Sequence, residues 1–523
     1  MILAILTIIV IIESARRTIG YFFPSLTVIV IIYALWGHYI PAFLGHAYLR
    51  PRLVFEYIYL SPKAIWGFIT GLSASYISLF IIFGSFLLSS GGGKTLIELA
   101  ILAAGKFRGG PAKVAVIASG LLAMLSGSSI ANVVTTGSFT IPLMKRLGYS
   151  SEFAAAVESV ASTGGMVTPP VMGAAAFIMA EFLGISYLKV CIAAAIPSLL
   201  FYISVFMGVH LQAVKLNLMP ILKKELPKVT DDVASTTITG LFLPIGVLLY
   251  TLFKGYSLIL VSASACFATL IIYLLSNFSL TGILEKLNNL PKIFENAGKA
   301  VSNIVPVLVC ANVILFLLDL TGLSPKFSSW VIGLARSNLI LTIILTAIVI
   351  MILGTGLPTT AAYVIGVAIA APQMVKWGIT PIAVHLFIVY YAILATITPP
   401  VCPTVFVGSS IAKSNWLKTA FISLRLGPIL YIMPFLFIYD NSFILIGSPK
   451  DILINISTAI VGSIILASGS MRQLLIKCNF IETMALVGAG FLLLISGLMF
   501  DLIGFFIFLI VFINQRKNIR TKK

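Results

Sequence analysis

Long apolar runs separated by short polar connectors set the pattern of this chain. Runs cover about 21–36 and 65–88, and a dense series then extends to 212. A second series spans about 238–440, and two or three more runs follow Asp451. About 20 apolar residues in a helix match the hydrocarbon thickness of a bilayer, so the pattern predicts an all-α polytopic fold. The length, 523 residues, allows about a dozen crossings. The first run, 2–12, has no basic residue before it and Arg16 and Arg17 after it. A signal peptide has the opposite order, so this run reads as the tail of a membrane helix.

Two stretches without charge are too long for one span. They lie between Lys113 and Lys145 and between Arg336 and Lys376. As a single helix the second would measure roughly 60 Å, about twice the hydrocarbon thickness. Each must fold back, and Gly and Pro mark where: SGSS at 126–129 and GTGLPTT at 354–360. Irregular backbone at membrane depth survives only when buried in protein or lining a cavity, which predicts re-entrant hairpins and broken helices.

Composition narrows the class further. Hydrophobic residues make up 59% of the chain and charged ones 10%, with a mean hydropathy of +1.11. Soluble domains carry about 25% charged residues, so a monotopic enzyme, a nucleic-acid binder and a disordered scaffold are excluded. The net charge of +18 sits in connectors, where it orients spans by keeping basic loops cytoplasmic. The tail 516–523 is expected on that side too. Cys191, Cys266, Cys310, Cys402 and Cys478 are scattered without a C-x-x-C pair and read as small buried hydrophobes.

An offset of 230 residues aligns 142–171 with 372–401 without a gap. Pro142, Met144, Gly148 and Thr168-Pro169-Pro170-Val171 recur as Pro372, Met374, Gly378 and Thr398-Pro399-Pro400-Val401. Those seven identities compare with about two expected from composition. Each half thus carries a hairpin break, a connecting span and a T-P-P-V break. Paired interruptions in corresponding places are the best sequence pointer to a transporter's binding site. The chain divides accordingly into repeats at 61–214 and 237–440, a polar connector at 215–236 and a C-terminal membrane extension at 441–523. The alignment leaves open whether the repeats are inverted.

The motifs carry a resemblance. SGSSIANVVTTGSFTIPLMKRLGY (126–149), STGGMVTPPVMGAAAFIMAEFLGISY (162–187) and the stretch from ILGTGLPTTAAY to ATITPPV (352–401) resemble the large permease of TRAP transporters. RRTIG (16–20), RGGPAKVAV (108–116) and the C-terminal segment resemble the fused permeases that pair with TAXI-type binding proteins. The resemblance implies an inverted-repeat, elevator-type secondary transporter in the cell membrane. It would import an organic anion, a carboxylate, with Na⁺ as coupling ion, received from an extracytoplasmic TAXI-type protein. It also makes 1–60 a small-subunit-like segment. Fused permeases begin several helices further upstream, which leaves three readings: a mis-set start, a separate small membrane subunit, or a version without those helices. The remaining partners are membrane lipid and no nucleic acid.

Na⁺ is a hard cation served by neutral oxygens, and broken helices expose carbonyls and N–H groups suited to a cation and a carboxylate. Candidate groups are Ser128, Ser129 and Asn132 at the first break, Gly164 and Thr168 at the second, Gly354, Thr355, Gly356 and Thr359 at the third, and Thr396 and Thr398 at the fourth. A lone Ser or Gly more often serves helix packing; four breaks together favour an ion and substrate site. Glu158, Glu181 and Asp319 are the intramembrane carboxylates, and charge at depth defaults to a functional hypothesis. Glu181 and Asp319 read better as helix-end residues, and His385 as equally a packing residue or a ligand. GGGKT (91–95) lacks the first Gly of a P-loop, and Asp231-Asp232 has no further acids beside it. No cofactor is expected. A passive channel lacks a filter motif, and an intramembrane enzyme would need a catalytic constellation that the sequence does not show.

Overall fold

The computed structural model describes residues 1–41, 44–220, 231–275, 280–334 and 338–521. Ten connector residues, 221–230, and the last two lysines of the basic tail lie outside the described residues. The described chain is helical apart from its connections and one isolated bridge, Gln473 to Lys477.

Among the described residues eight helices are long and apolar enough to cross a membrane, and the bent pair Trp416–Leu426 and Pro428–Tyr439 can make a ninth. This corrects the expected dozen. The apolar runs are as many as the hydropathy pattern implies, but several fold into pieces too short to span alone, among them Gly110–Ser126, Pro381–Leu394 and Phe480–Leu494. Hydropathy registers apolar sequence; it does not register how often the helix is cut. Ile29, Leu260 and Leu502 are exposed, as lipid-facing side chains of spans are. The protein is a multi-pass membrane protein.

Two compact units form, each assembled from three separate lengths of chain. One comprises Met1–Gly92, Ala174–Leu188 and Asp231–Ala392. In it the short helix Ala174–Phe182 is held by rings: Phe177 stacks on Phe80 at 4.3 Å and on Tyr187 at 4.5 Å between centroids. The other comprises Gly93–Gly173, Lys189–Thr230 and Ile393–Lys523. Its centre is the helix Ser151–Gly165, whose residues from Phe153 to Gly165 are all buried. Gly110–Ser126, Ser129–Arg146, Pro403–Ala412 and Trp416–Leu426 pack around it.

The helix interruptions have local causes. Gly110–Ser126 ends because Gly127 takes a left-handed conformation (φ 64°), which a glycine adopts without steric cost. Ser128 restarts the next helix as its N-cap, accepting from the Ala131 N–H at 3.3 Å. Leu339–Gly356 ends at extended Leu357, and Pro358 starts Thr359–Lys376. The two T-P-P segments contain cis bonds between Pro169 and Pro170 and between Pro399 and Pro400.

The C-terminal helices Pro449–Met471 and Phe480–Leu494 touch backbone to backbone. A Cβ on Gly490 would lie 2.6 Å from the Leu466 nitrogen, and one on Gly462 3.0 Å from the Gly490 carbonyl oxygen. At Gly488 a Cβ would meet nothing within 4 Å. Gly490→Ala should therefore destabilise the detergent-solubilised protein by about 1–3 kcal/mol, the usual cost of overpacking, whereas Gly488→Ala should leave the melting temperature within error of the parent. Equal melting of both variants would show that the contact gives way freely.

Candidate functional site

Seven of the eleven residues singled out in the sequence fall in one unit: Ser128, Ser129, Asn132, Gly164, Thr168, Thr396 and Thr398. Gly354, Thr355, Gly356 and Thr359 belong to the other.

In the first of these units, groups from the first and second halves of the chain meet. The Ser129 hydroxyl lies 2.8 Å from the Thr404 hydroxyl. The Thr404 N–H donates to the Thr396 carbonyl at 3.0 Å, and its own carbonyl accepts from Ser159 Oγ at 3.3 Å. Thr404 sits at the start of Pro403–Ala412, just after Cys402, which is left-handed at φ 37°. Ser129, Thr396 and Thr404 are all buried. The head of one broken helix is thereby tied to the turn before another. Thr404 was not among the residues expected, and a lone Thr in an apolar run gives no signal that would have found it.

Asn132 is a junction of three helices. Its side-chain amide donates to the Ser119 carbonyl, the Ser119 hydroxyl and the Ser162 hydroxyl, each at 2.9 Å. The two hydroxyls lie 2.7 Å apart. All three side chains are buried, so this network fixes the spacing of Gly110–Ser126, Ser129–Arg146 and Ser151–Gly165.

The threonines of the T-P-P segments share one arrangement. Thr168 Oγ1 donates to the Gly164 carbonyl at 2.8 Å, with the Tyr202 hydroxyl 3.5 Å away. Thr398 Oγ1 donates to the Leu394 carbonyl at 2.7 Å, and Tyr431 stands 2.7 Å from it. A threonine hydroxyl has one proton, so Tyr431 is the donor in the second contact. Each turn is closed by a hydroxyl returned to the last turn of the preceding helix. Gly164 is needed for close approach: a Cβ there would fall 1.8 Å from the Phe201 ring. Thr396 Oγ1 donates to the Ile393 carbonyl at 2.7 Å.

In the other unit, Gly354 and Thr359 are buried at the edges of the break, and the Thr355 hydroxyl donates to the Ile352 carbonyl at 2.7 Å. A Cβ on Gly356 would meet the Phe22 ring at 2.6 Å. His385 Nδ1 lies 2.8 Å from the buried Tyr363 hydroxyl. Glu181 and Asp319 are exposed near the C-terminal ends of their helices. Glu158 is wholly buried and bonded to the hydroxyls of Thr136 and Thr140. Among the described residues no group of three His, Cys, Asp or Glu side chains is placed to hold a metal. The donor set at the breaks is neutral oxygen, which suits a weakly held hard cation better than a transition metal.

Broken helices, hydroxyl-closed turns and multiple apolar spans are the parts of a membrane transporter. Residues 6–452 match the family described as "Tripartite ATP-independent periplasmic transporter, DctM component", and the chain belongs to that family. It is 28% identical over 342 residues to the C4-dicarboxylate TRAP transporter large permease of Pseudomonas aeruginosa, covering 64% of this chain and 76% of the relative. It is 25% identical over 340 residues to the 2,3-diketo-L-gulonate TRAP transporter large permease of Escherichia coli, covering 64% and 77%. The isethionate TRAP transporter permease of Oleidesulfovibrio alaskensis is 24% identical over 342 residues, 65% of this chain and 52% of the relative. The protein is a solute transporter permease, in line with the large-permease likeness of its motifs.

The tie between the halves can be measured. Ser129→Ala and Thr404→Val each remove one side of the 2.8 Å hydroxyl contact. The double variant should be less destabilised than the sum of the single ones by about 1 kcal/mol. Additive losses in melting experiments would show that the contact contributes nothing.

Proposed function

We propose that this permease is a secondary active transporter that imports an organic anion, a carboxylate, with Na⁺. An extracytoplasmic binding protein of the TAXI type delivers the solute. The observation that carries this reading is the junction of Ser129, Thr404 and Thr396, where two helix breaks from different halves of the sequence meet through neutral oxygens. Carbonyls released at such breaks attract a cation, and N–H groups at helix starts attract a carboxylate. The names of the relatives, C4-dicarboxylate, diketogulonate and isethionate permeases, support an organic acid as cargo. Whether a separate small subunit completes the assembly belongs to the same reading, as does the elevator-type cycle.

In reconstituted vesicles, uptake should require both an inward Na⁺ gradient and the binding protein. Flux that needs neither would favour a channel. Thr398→Ala removes a side-chain oxygen and should shift the Na⁺ midpoint of transport upward by about tenfold, or about 1.4 kcal/mol. Tyr431→Phe takes away only a donor to that oxygen, and should shift it less. A lowered maximum with an unmoved midpoint in Thr398→Ala would remove Thr398 from the cation shell.

We further propose that the two halves are inverted repeats. The 230-residue offset relates Met172 to Cys402, both left-handed non-glycines, and Gly148 to Gly378, both at positive φ. It also relates the Thr168–Tyr202 contact to Thr398–Tyr431 within one residue. Single cysteines at Ser128 and Thr355 should label from opposite membrane faces. Labelling of both from one face would indicate a parallel duplication.

A further inference from the structure

We propose that Glu158 is an exchangeable proton site inside the unit that holds the Ser129–Thr404 junction. The inference begins with geometry. Glu158 has no exposed surface, yet its carboxyl oxygens contact two hydroxyls of the neighbouring helix: Oε1 with Thr136 and Oε2 with Thr140. The approach is close because Gly137 lies between those threonines; a Cβ there would sit 3.1 Å from Glu158 Cγ. Neither threonine is among the candidate cation ligands.

Counting hydrogens shows why both protonation states fit. Thr136 Oγ1 also lies 2.8 Å from the Asn132 carbonyl, and Thr140 Oγ1 lies 3.0 Å from the Thr136 carbonyl. Each hydroxyl has one proton and can also accept. With an ionised carboxylate, both hydroxyls donate to Glu158 and leave the helix carbonyls to their amide partners. With a carboxylic acid, Glu158 donates to one threonine, which turns its proton to its carbonyl, while the other threonine still donates to the free carboxyl oxygen. Three protons then serve the four close contacts. A lysine or arginine partner would hold the carboxylate in one state; hydroxyls accommodate two.

Among the described residues no charged group is bonded to Glu158. The helices packed against Ser151–Gly165 carry Lys113, Lys145, Arg146, Lys418 and Arg425, with Lys413 just beyond one of them and Glu152 on the same helix. Tyr187–Lys215, which reaches Gly164 through Phe201, adds Lys189, Cys191, Tyr202, His210 and Lys215. Lys113 faces His210 at 3.3 Å, Lys145 donates to the Ala412 carbonyl and Arg425 to that of Ser470. The hydrogen bonds to Glu158 come from hydroxyls, those of Thr136 and Thr140.

The site also has a polar connection to the helix break. Ser129, Asn132, Thr136 and Thr140 recur at helical spacing along one buried stripe. Asn132 joins the Ser119 and Ser162 hydroxyls, and its carbonyl lies 2.8 Å from the Thr136 hydroxyl that bonds Glu158. In the transport reading, on which this last step rests, a proton on Glu158 would be carried with the solute.

Infrared difference spectroscopy on the full-length purified protein tests the site without solute or partner. The difference between the parent and Glu158→Gln spectra should hold a carboxylic C=O band that is present at acid pH and vanishes as the pH rises. A band of this origin that persists at every pH, or that is present at none, overturns the proposal. If Glu158→Gln does not give a monodisperse protein, Glu158→Asp replaces it: the band should move in frequency, and an unmoved band belongs to another carboxyl and overturns the assignment. Failure of Na⁺-driven uptake in vesicles would count against the transport reading alone, because the infrared titration depends on neither.

Discussion

Inside a bilayer a backbone amide or carbonyl released from a helix has no water to turn to, and leaving it unpaired costs on the order of several kcal/mol. The breaks in this chain are shaped by that constraint. Gly127 returns its N–H to Ala123, Ser128 caps the helix that follows, and Thr168 and Thr398 send their hydroxyls back to the preceding turn. Thr404 does the same across a longer distance in sequence, donating its N–H to Thr396 while its side chain meets Ser129. The polar groups that make a site possible are the ones that make the breaks tolerable.

Much of this was legible from residue order because Gly and Pro act locally. SGSS, GTGLP and the two T-P-P segments interrupt helices for reasons that need only their own chemistry. The number of full crossings was not legible, since a hydropathy run is the same whether its helix is whole or cut. Nor were Thr404, Tyr202 and Tyr431, each one hydroxyl among apolar neighbours. Their importance comes from partners distant in sequence, and nothing local to them marks it. Glu158 stood out as charge in an apolar segment, but the threonines that receive it lie 22 and 18 positions earlier, a pairing only the packed helices display.

The buried hydroxyls and amides also explain how a helix packet with so few charges keeps a defined arrangement. Apolar contacts among membrane helices are weakly selective, because lipid tails offer similar surroundings. Asn132, tied to two other helices by its two amide hydrogens, accepts few alternative registers. Ser129 and Thr404 add a second tie, between helices from different halves of the chain. Polar bonds here act less as glue than as alignment marks.

The glycine contacts of the C-terminal helices have a mechanical consequence. Gly462 and Gly490 face one another's backbone, Gly469 lies under Val487, and Gly504 brings the last helix against the Ala489 carbonyl. At such spacing, sliding one helix along its neighbour by a residue would drive a side chain into main chain. The three helices cannot creep past one another as oily cylinders can. Main-chain contact at Gly462, Gly490 and Gly504 thus keys the three helices to one register.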